Sequence, residues 1–286
     1  MSKLMAIDLD GTLLNHQNRI SAENIEAIKK AQKDGIEIVV ATGRAYFDVK
    51  ALFEGTEIET WIIAANGATI HTPSGELYQS TPIDQPKALE ILQWLEEEGY
   101  YYEVFSQKAI LTPQNARELL AIEMDRVVSA NPEVNLEELQ EAAETQYSQS
   151  GFQFISSYKE IQSTNVEVYN ILAFTFHNEK WKRGWDHFKD ERELTLVSSA
   201  VHNFELEHKD ASKGNALTKV ANELGVPLSE TVAVGDSLND LSMLKIAGKS
   251  VAMGNAHPEV KEVCDEMTLR NIEHGVAHLI EKIRTN

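Results

Sequence analysis

A single cysteine, Cys264, stands in 286 residues, so no disulfide can close within the chain. No cluster of positive charge surrounds it in the sequence, and it reads as a small apolar residue on a helix rather than a reactive thiol. Basic residues are scarce as well. Lys and Arg number 26 against 45 Asp and Glu, a formal net charge of -19. So acidic a surface repels nucleic acid and anionic membranes, and neither is expected as a partner. It also repels anionic metabolites, so any phosphate site needs a local cation, a Lys or Arg, or backbone N–H groups. No apolar run approaches the length of a membrane span, and "MSKLMAID" meets Asp8 too soon for a signal peptide. These absences predict a cytoplasmic protein.

What is present is a rhythm. Residues 4–8 form a short apolar run suited to a buried strand. "RISAENIEAIKKAQKDG" reads as a helix capped by Ser21, with Ile20 and Ile25 at the spacing of a hydrophobic staple. "IEIVVATG", "RAYFDVKALFEG" and "WIIAANGA" continue as strand, helix and strand, and "ATIHTPSGELYQS" as a hairpin. Alternation of this kind predicts an α/β doubly wound parallel sheet. After Pro82 the pattern changes to strand pairs, "YYYEVFS" with "AILTP" and "LTLVSSA" with "NFELEHK", separated by helices that include 114–126 and 135–148. The glutamates 133, 137, 138, 141 and 144 read as a solvated helix face. From "DASKGNALTKVANELG" the first rhythm returns, through "TVAVGD" and "SVAMGNA". The chain thus reads as a core, 1–83 and 209–286, interrupted by an inserted α+β cap domain, 84–208.

Open parallel sheets bind ligands outside the carboxyl ends of their strands. Those ends carry Asp8-Leu9-Asp10-Gly11-Thr12, Thr42-Gly43-Arg44, Asn66-Gly67 and Asp236-Ser237-Leu238-Asn239-Asp240. Any one of these alone is a turn or a helix cap. Lys213 opens a helix, a poor place for a cation beside the helix dipole unless an anion or carboxylate is close. The convergence of all of them on one sheet edge argues for a site. Several carboxylates gathered at one point repel one another unless a hard cation lies between them, and Mg2+ takes oxygen ligands and pairs with phosphate. Asp8, Asp236 and the backbone carbonyl of Asp10 are expected to supply that site. Asp8 can then act as a nucleophile toward phosphorus. Asp10, past the strand end where Gly11 allows a turn, can act as general acid and base. Thr42, the Gly43 N–H and Lys213 can hold phosphoryl oxygens.

"DLDGT", "ATGR", "SKGNAL" and "GDSLNDLSML", in that order, resemble the motifs of the haloacid dehalogenase-like superfamily. With "MGNA" and "EHGVAHLI" the chain is similar to the Cof-type branch, whose members are mostly phosphatases of sugar phosphates or related metabolites. The resemblance implies a Rossmann-like core, with Asp8 as nucleophile and metal ligand and Asp10 as acid, then base. It implies Mg2+ on Asp8, Asp10, Asp236 and Asp240, the last either directly or in support. Leu9, Thr42, Gly43, Arg44, Lys213 and Asn239 would surround the phosphate, with Asn239 touching phosphate or Lys213. The inserted domain would read the leaving group of a small phosphorylated metabolite. A phosphomutase of the same chemistry is the alternative, and a phospho-aspartate signalling module is a more distant one. The chain is expected to be a monomer or a homodimer.

Overall fold

The computed structural model of the chain describes residues 3–130, 135–147, 151–198 and 200–285. It divides into two compact units, Met1–Thr81 with Asp210–Asn286, and Pro82–Lys209.

The first segment of unit 1 runs through β1 (Leu4–Asp8), α1 (Ala22–Lys33), β2 (Glu37–Ala41), α2 (Tyr46–Phe53), β3 (Trp61–Ala64), β4 (Thr69–His71) and β5 (Leu77–Ser80). Every residue of β1 is buried, as an apolar run with no polar alternation requires. Ser21 caps α1 by accepting the Asn24 N–H at 3.2 Å, and Ile20 and Ile25 pack partly buried against the core.

Unit 2 runs through α3 (Gln85–Glu97), β6 (Tyr101–Ser106), β7 (Ile110–Pro113), α4 (Ala116–Ala130), α5 (Leu136–Tyr147), β8 (Phe152–Ile155), α6 (Lys159–Gln162), β9 (Val168–Phe174), α7 (Asn178–Phe188), β10 (Leu194–Val197) and β11 (Asn203–His208). Among the described residues its strands lie in the order β10-β11-β9-β6-β7-β8. All neighbours are antiparallel except β7 and β8. Strand β8 is absent from the sequence reading, because "FQFI" is short and only Ile155 in it is buried. A parallel neighbour needs a long crossover, and the segment holding α4 and α5 supplies one. Glu137, Glu138, Glu141 and Glu144 are exposed, as a solvated helix face predicts; Glu133 and Ser148 lie outside the described residues. Trp181 and Trp185 stack with ring centroids 5.0 Å apart and pack against the apolar core of this unit.

Unit 1 resumes with α8 (Lys213–Glu223), β12 (Thr231–Gly235), α9 (Leu241–Leu244), β13 (Lys249–Ala252), α10 (Pro258–Val263), β14 (Glu266–Met267) and α11 (Gly275–Thr285). The unit 1 sheet is ordered β14-β13-β12-β1-β2-β3-β4-β5. The run from β14 to β3 is parallel, and β4 and β5 add an antiparallel margin. Successive strands run outward in opposite directions from the β1–β12 boundary, which makes that boundary the switch point where a doubly wound sheet opens a crevice. Helix α1 packs on α11, and α8 packs on α9 and β3. One sequence expectation is corrected: Cys264 lies just past α10, with φ -86° and ψ 148°, where the backbone extends toward β14.

His71 ends β4, 8% exposed, stacked on Tyr46 at a centroid distance of 3.6 Å. Burial pushes the imidazole down from 6.5 to about 4. Between those values the unfolded chain binds a proton that the folded chain refuses, so folding stability falls as pH drops through this window. Urea unfolding of wild type and His71→Phe across pH 4 to 7 is expected to show wild type losing stability relative to the variant from about pH 6.5 downward. A constant difference across that range would contradict the assignment.

Candidate active site

The site is built at the carboxyl ends of β1, β2, β3 and β12. Strand β1 delivers Asp8, which is 4% exposed. The chain then turns through Asp10 (φ -76°, ψ 126°) and Gly11 (φ +75°). Glycine is required there twice over: the left-handed backbone disfavours a side chain, and a Cβ would strike the Asp236 carboxylate. Strand β12 delivers Asp236 across the switch point. Gly235, just before it, leaves room for Asp240, whose carboxylate a Cβ at 235 would press against.

Lys213, 1% exposed at the start of α8, joins these pieces. Its ammonium donates to Asp8 Oδ1 and Asp240 Oδ1, each at 2.6 Å. The other Asp240 oxygen accepts the backbone N–H groups of Asp236 and Ser237, both at 2.9 Å. Asp240 thereby fixes the lysine and the turn that carries Asp236. Burial works to lower the Lys213 ammonium, and the facing Asp240 and Asp8 carboxylates override it and hold the group above its ordinary value.

The balance of charge stays unfavourable. Oxygens of Asp8, Asp236 and Asp240 lie within 4.8 Å of one another. Burial, then the Asp240 charge, raises the Asp8 carboxyl well above its usual range despite Lys213. The same two causes, in that order, push Asp236 up to about 6. Among the described residues, Asp8 Oδ2 and Asn239 Oδ1 are buried with no hydrogen-bond partner. Crowded oxygen donors, carboxyls driven toward protonation and orphaned acceptors are what a hard divalent cation and a bound ligand would satisfy. The residues present fit Mg2+.

The remaining strand ends bring further groups. Thr42, buried after β2, accepts the Arg44 N–H on Oγ1 at 3.1 Å. Gly43 lies against the Asn66 side chain, 3.1 Å from where its Cβ would be. Ala65 (φ +45°) and Asn66 (φ +51°) are left-handed in succession at the end of β3, a strained backbone at a cost of roughly 1–3 kcal/mol each. Asn239, expected to touch phosphate or Lys213, donates to Asn66 Oδ1 at 3.1 Å. Leu9 is wholly buried and its carbonyl accepts the Leu14 N–H at 2.9 Å. Asp10 faces Arg44, whose Nε and Nη2 grip its two oxygens at 2.8 and 2.7 Å, while Nη1 donates to Asp48 at 2.6 Å.

Sequence reasoning missed two participants. Asp48 follows Arg44 by four residues, the spacing of a helical ion pair, and that was its signal. Asn255 follows the end of β13, as the other site residues follow their strands. It donates to the Gly11 carbonyl at 2.8 Å and lies 3.4 Å from Asp236 Oδ2. Thr12 Oγ1 is 3.4 Å from the other Asp236 oxygen.

A family model of haloacid dehalogenase-like hydrolases matches residues 5–280. The chain belongs to this family. Phosphatase YwpJ of Bacillus subtilis (strain 168) is 56% identical over 283 residues, spanning 98% of this chain and 99% of that one. The 5-amino-6-(5-phospho-D-ribitylamino)uracil phosphatase YwtE of the same organism is 40% identical over 281 residues, 98% of each. A solved haloacid dehalogenase-like hydrolase from B. subtilis superposes with a TM-score of 0.85 at 57% identity, covering 98% of this chain and 99% of that one. As a member of the haloacid dehalogenase-like hydrolases with such relatives, this chain is a phosphatase.

Lys213→Met leaves two buried carboxylates without their cation, which is expected to cost about 3–5 kcal/mol. Urea unfolding at pH 7.5 measures the loss. A variant within 1 kcal/mol of wild type, on the order of an exposed ion pair, would contradict the role given to the lysine.

Proposed function

We propose that this chain is a Mg2+-dependent phosphatase of small phosphate monoesters, sugar phosphates or related metabolites, working through a phosphoryl group carried on Asp8. The observation that carries the reading is Asp8 itself: buried, one oxygen on Lys213, the other without a hydrogen-bond partner among the described residues, and Asp236 beside it. Asp8 and Asp236 are the residues with oxygens to spare for Mg2+, joined by the Asp10 backbone carbonyl. Asp240, committed to Lys213 and two N–H groups, holds the others in place. Bound there, the cation would offset the carboxylate charge and that of the phosphate.

In the first half-reaction an Asp8 oxygen attacks phosphorus, the bond from phosphorus to the ester oxygen breaks, and Asp10 gives its proton to the departing alkoxide. In the second, Asp10 takes a proton from water, the water oxygen attacks phosphorus, and the bond to Asp8 breaks to release phosphate. Thr42, the Gly43 N–H, Lys213 and Asn239 hold the phosphoryl oxygens, with Leu9 providing backbone beside Asp8. Arg44, anchored by Asp48, orients Asp10 between the two proton transfers. Unit 2 is the part that selects the leaving group. The relatives named for a ribitylamino-uracil phosphate point to a polyol-bearing metabolite as the kind of ester to try first.

An aryl phosphate separates the two halves, because its leaving group needs little protonation. With Mg2+ and p-nitrophenyl phosphate, Asp10→Asn is expected to lose about 10²–10⁴ in turnover and to carry one phosphoryl group on Asp8, seen by intact-protein mass spectrometry. Asp8→Asn is expected to be folded, inactive and unmodified. Turnover by Asp8→Asn near the wild-type rate would overturn the proposal.

A further inference from the structure

In the reading above Asp10 makes two proton transfers, yet half of its side chain is exposed. The residue after it, Gly11, is left-handed at φ +75° and has no side chain to stiffen it. A turn of this kind aims its acid only as well as its backbone is held by neighbours.

Three asparagine amides hold it. Asn255 donates to the Gly11 carbonyl at 2.8 Å, Asn24 to the Leu13 carbonyl at 3.1 Å and Asn271 to the Leu14 carbonyl at 2.9 Å. Two of these amides are engaged at the other end as well. Asn255 Oδ1 accepts the Asn271 N–H and Asn24 Oδ1 accepts the Ala277 N–H, each at 3.0 Å. The second bonds fix which way these amides face. Turned over, each would set oxygen against carbonyl and nitrogen against N–H. Of the three, Asn255 grips the carbonyl beside Asp10.

Asn255 is itself well anchored. The Met253 N–H donates to the Gly235 carbonyl at 3.0 Å and the His257 N–H to the Asp236 carbonyl at 2.8 Å. The loop is thus fastened to the end of β12 on either side of Asn255, whose side chain reaches across to the turn after β1. Asp236 Oδ2 lies 3.4 Å from its amide nitrogen. A neutral donor suits this place. A carboxylate would add to the crowded negative charge, and an ammonium would pair with Asp236.

We propose that Asn255 is a positioning residue for phosphoryl transfer. By holding the Gly11 carbonyl it fixes the turn that aims Asp10, so the acid meets the ester oxygen, and later water, with its backbone already in place. This role rests on the acid–base part given to Asp10 above and names the residue that makes that part effective. Loss of the bond leaves the link from Lys213 to Asp8 intact and weakens proton transfer.

The experiment measures kcat/KM of the full chain with Mg2+ on p-nitrophenyl phosphate and on phenyl phosphate. This constant covers the steps through departure of the alcohol, and phenoxide is the poorer leaving group, so it depends more on a well-placed acid. The proteins are wild type, Asp10→Asn, Asn255→Ala and Asn24→Ala, with melting temperatures as the check on folding. Asn255→Ala is expected to lose about a hundredfold with phenyl phosphate and about tenfold with p-nitrophenyl phosphate. Asp10→Asn is expected to split the two esters in the same direction. Asn24→Ala, altered at the far end of the turn, should fall by one factor on both. Should Asn255→Ala not fold, Asn255→Asp keeps the shape and the bond from Asn271 but lacks the donor, and the same split is expected at pH 8. An equal loss on both esters in the Asn255 variant, with the split present in Asp10→Asn, would overturn the proposal and leave the phosphatase reading standing. So would a split in Asn24→Ala as large as in Asn255→Ala. A split absent from Asp10→Asn would overturn the acid role of Asp10 and this proposal with it.

Discussion

The carboxylate cluster of unit 1 depends on one buried ammonium. Lys213 stands between Asp8 from β1 and Asp240 from the turn after β12. It links the two segments of the unit, far apart in sequence, at the sheet's switch point. A lysine so enclosed is unfavourable by itself, and so is each carboxylate; together they are tolerable. Asp240 extends the link into the backbone of Asp236 and Ser237, so one lysine sets the positions of two further acids. The glycines at 11 and 235 are the local adjustments that let these side chains approach.

One positive charge still faces three carboxylates. The excess shows as the upward shift of Asp8 and of Asp236. An Asp whose folded pKa lies above its unfolded value lowers stability as pH rises through that interval, here from 3.8 to about 6 for Asp236. At neutral pH these carboxylates therefore hold a destabilising charge that a cation would relieve. Stability given up at a site in this way is common where binding supplies the missing charge.

The sequence was most readable where single physical rules act alone. Five consecutive buried residues made β1 plain, and the odd placement of Lys213 at a helix start pointed to a nearby carboxylate. Asp8 and Asp236 were visible because each ends a buried run. What stayed hidden depended on tertiary partners. The fork of Arg44 on Asp10, braced by Asp48, joins residues whose separation carries no signal beyond one helical turn. Asn239 binds Asn66 because β3 ends in a left-handed bend that composition does not reveal. Strand β8 lacks the alternation that would announce it.

The most direct test of the central account is the melting temperature of wild type and Asp236→Asn as Mg2+ is raised at pH 7.5. If the carboxylates form a cation site, wild type gains stability with Mg2+, about 2.7 kcal/mol at a hundred times the dissociation constant. Without Mg2+, Asp236→Asn starts above wild type, because it lacks the excess charge, and it gains little as Mg2+ is added. A wild-type melting temperature indifferent to Mg2+, or an Asp236→Asn variant that responds as wild type does, would contradict the account.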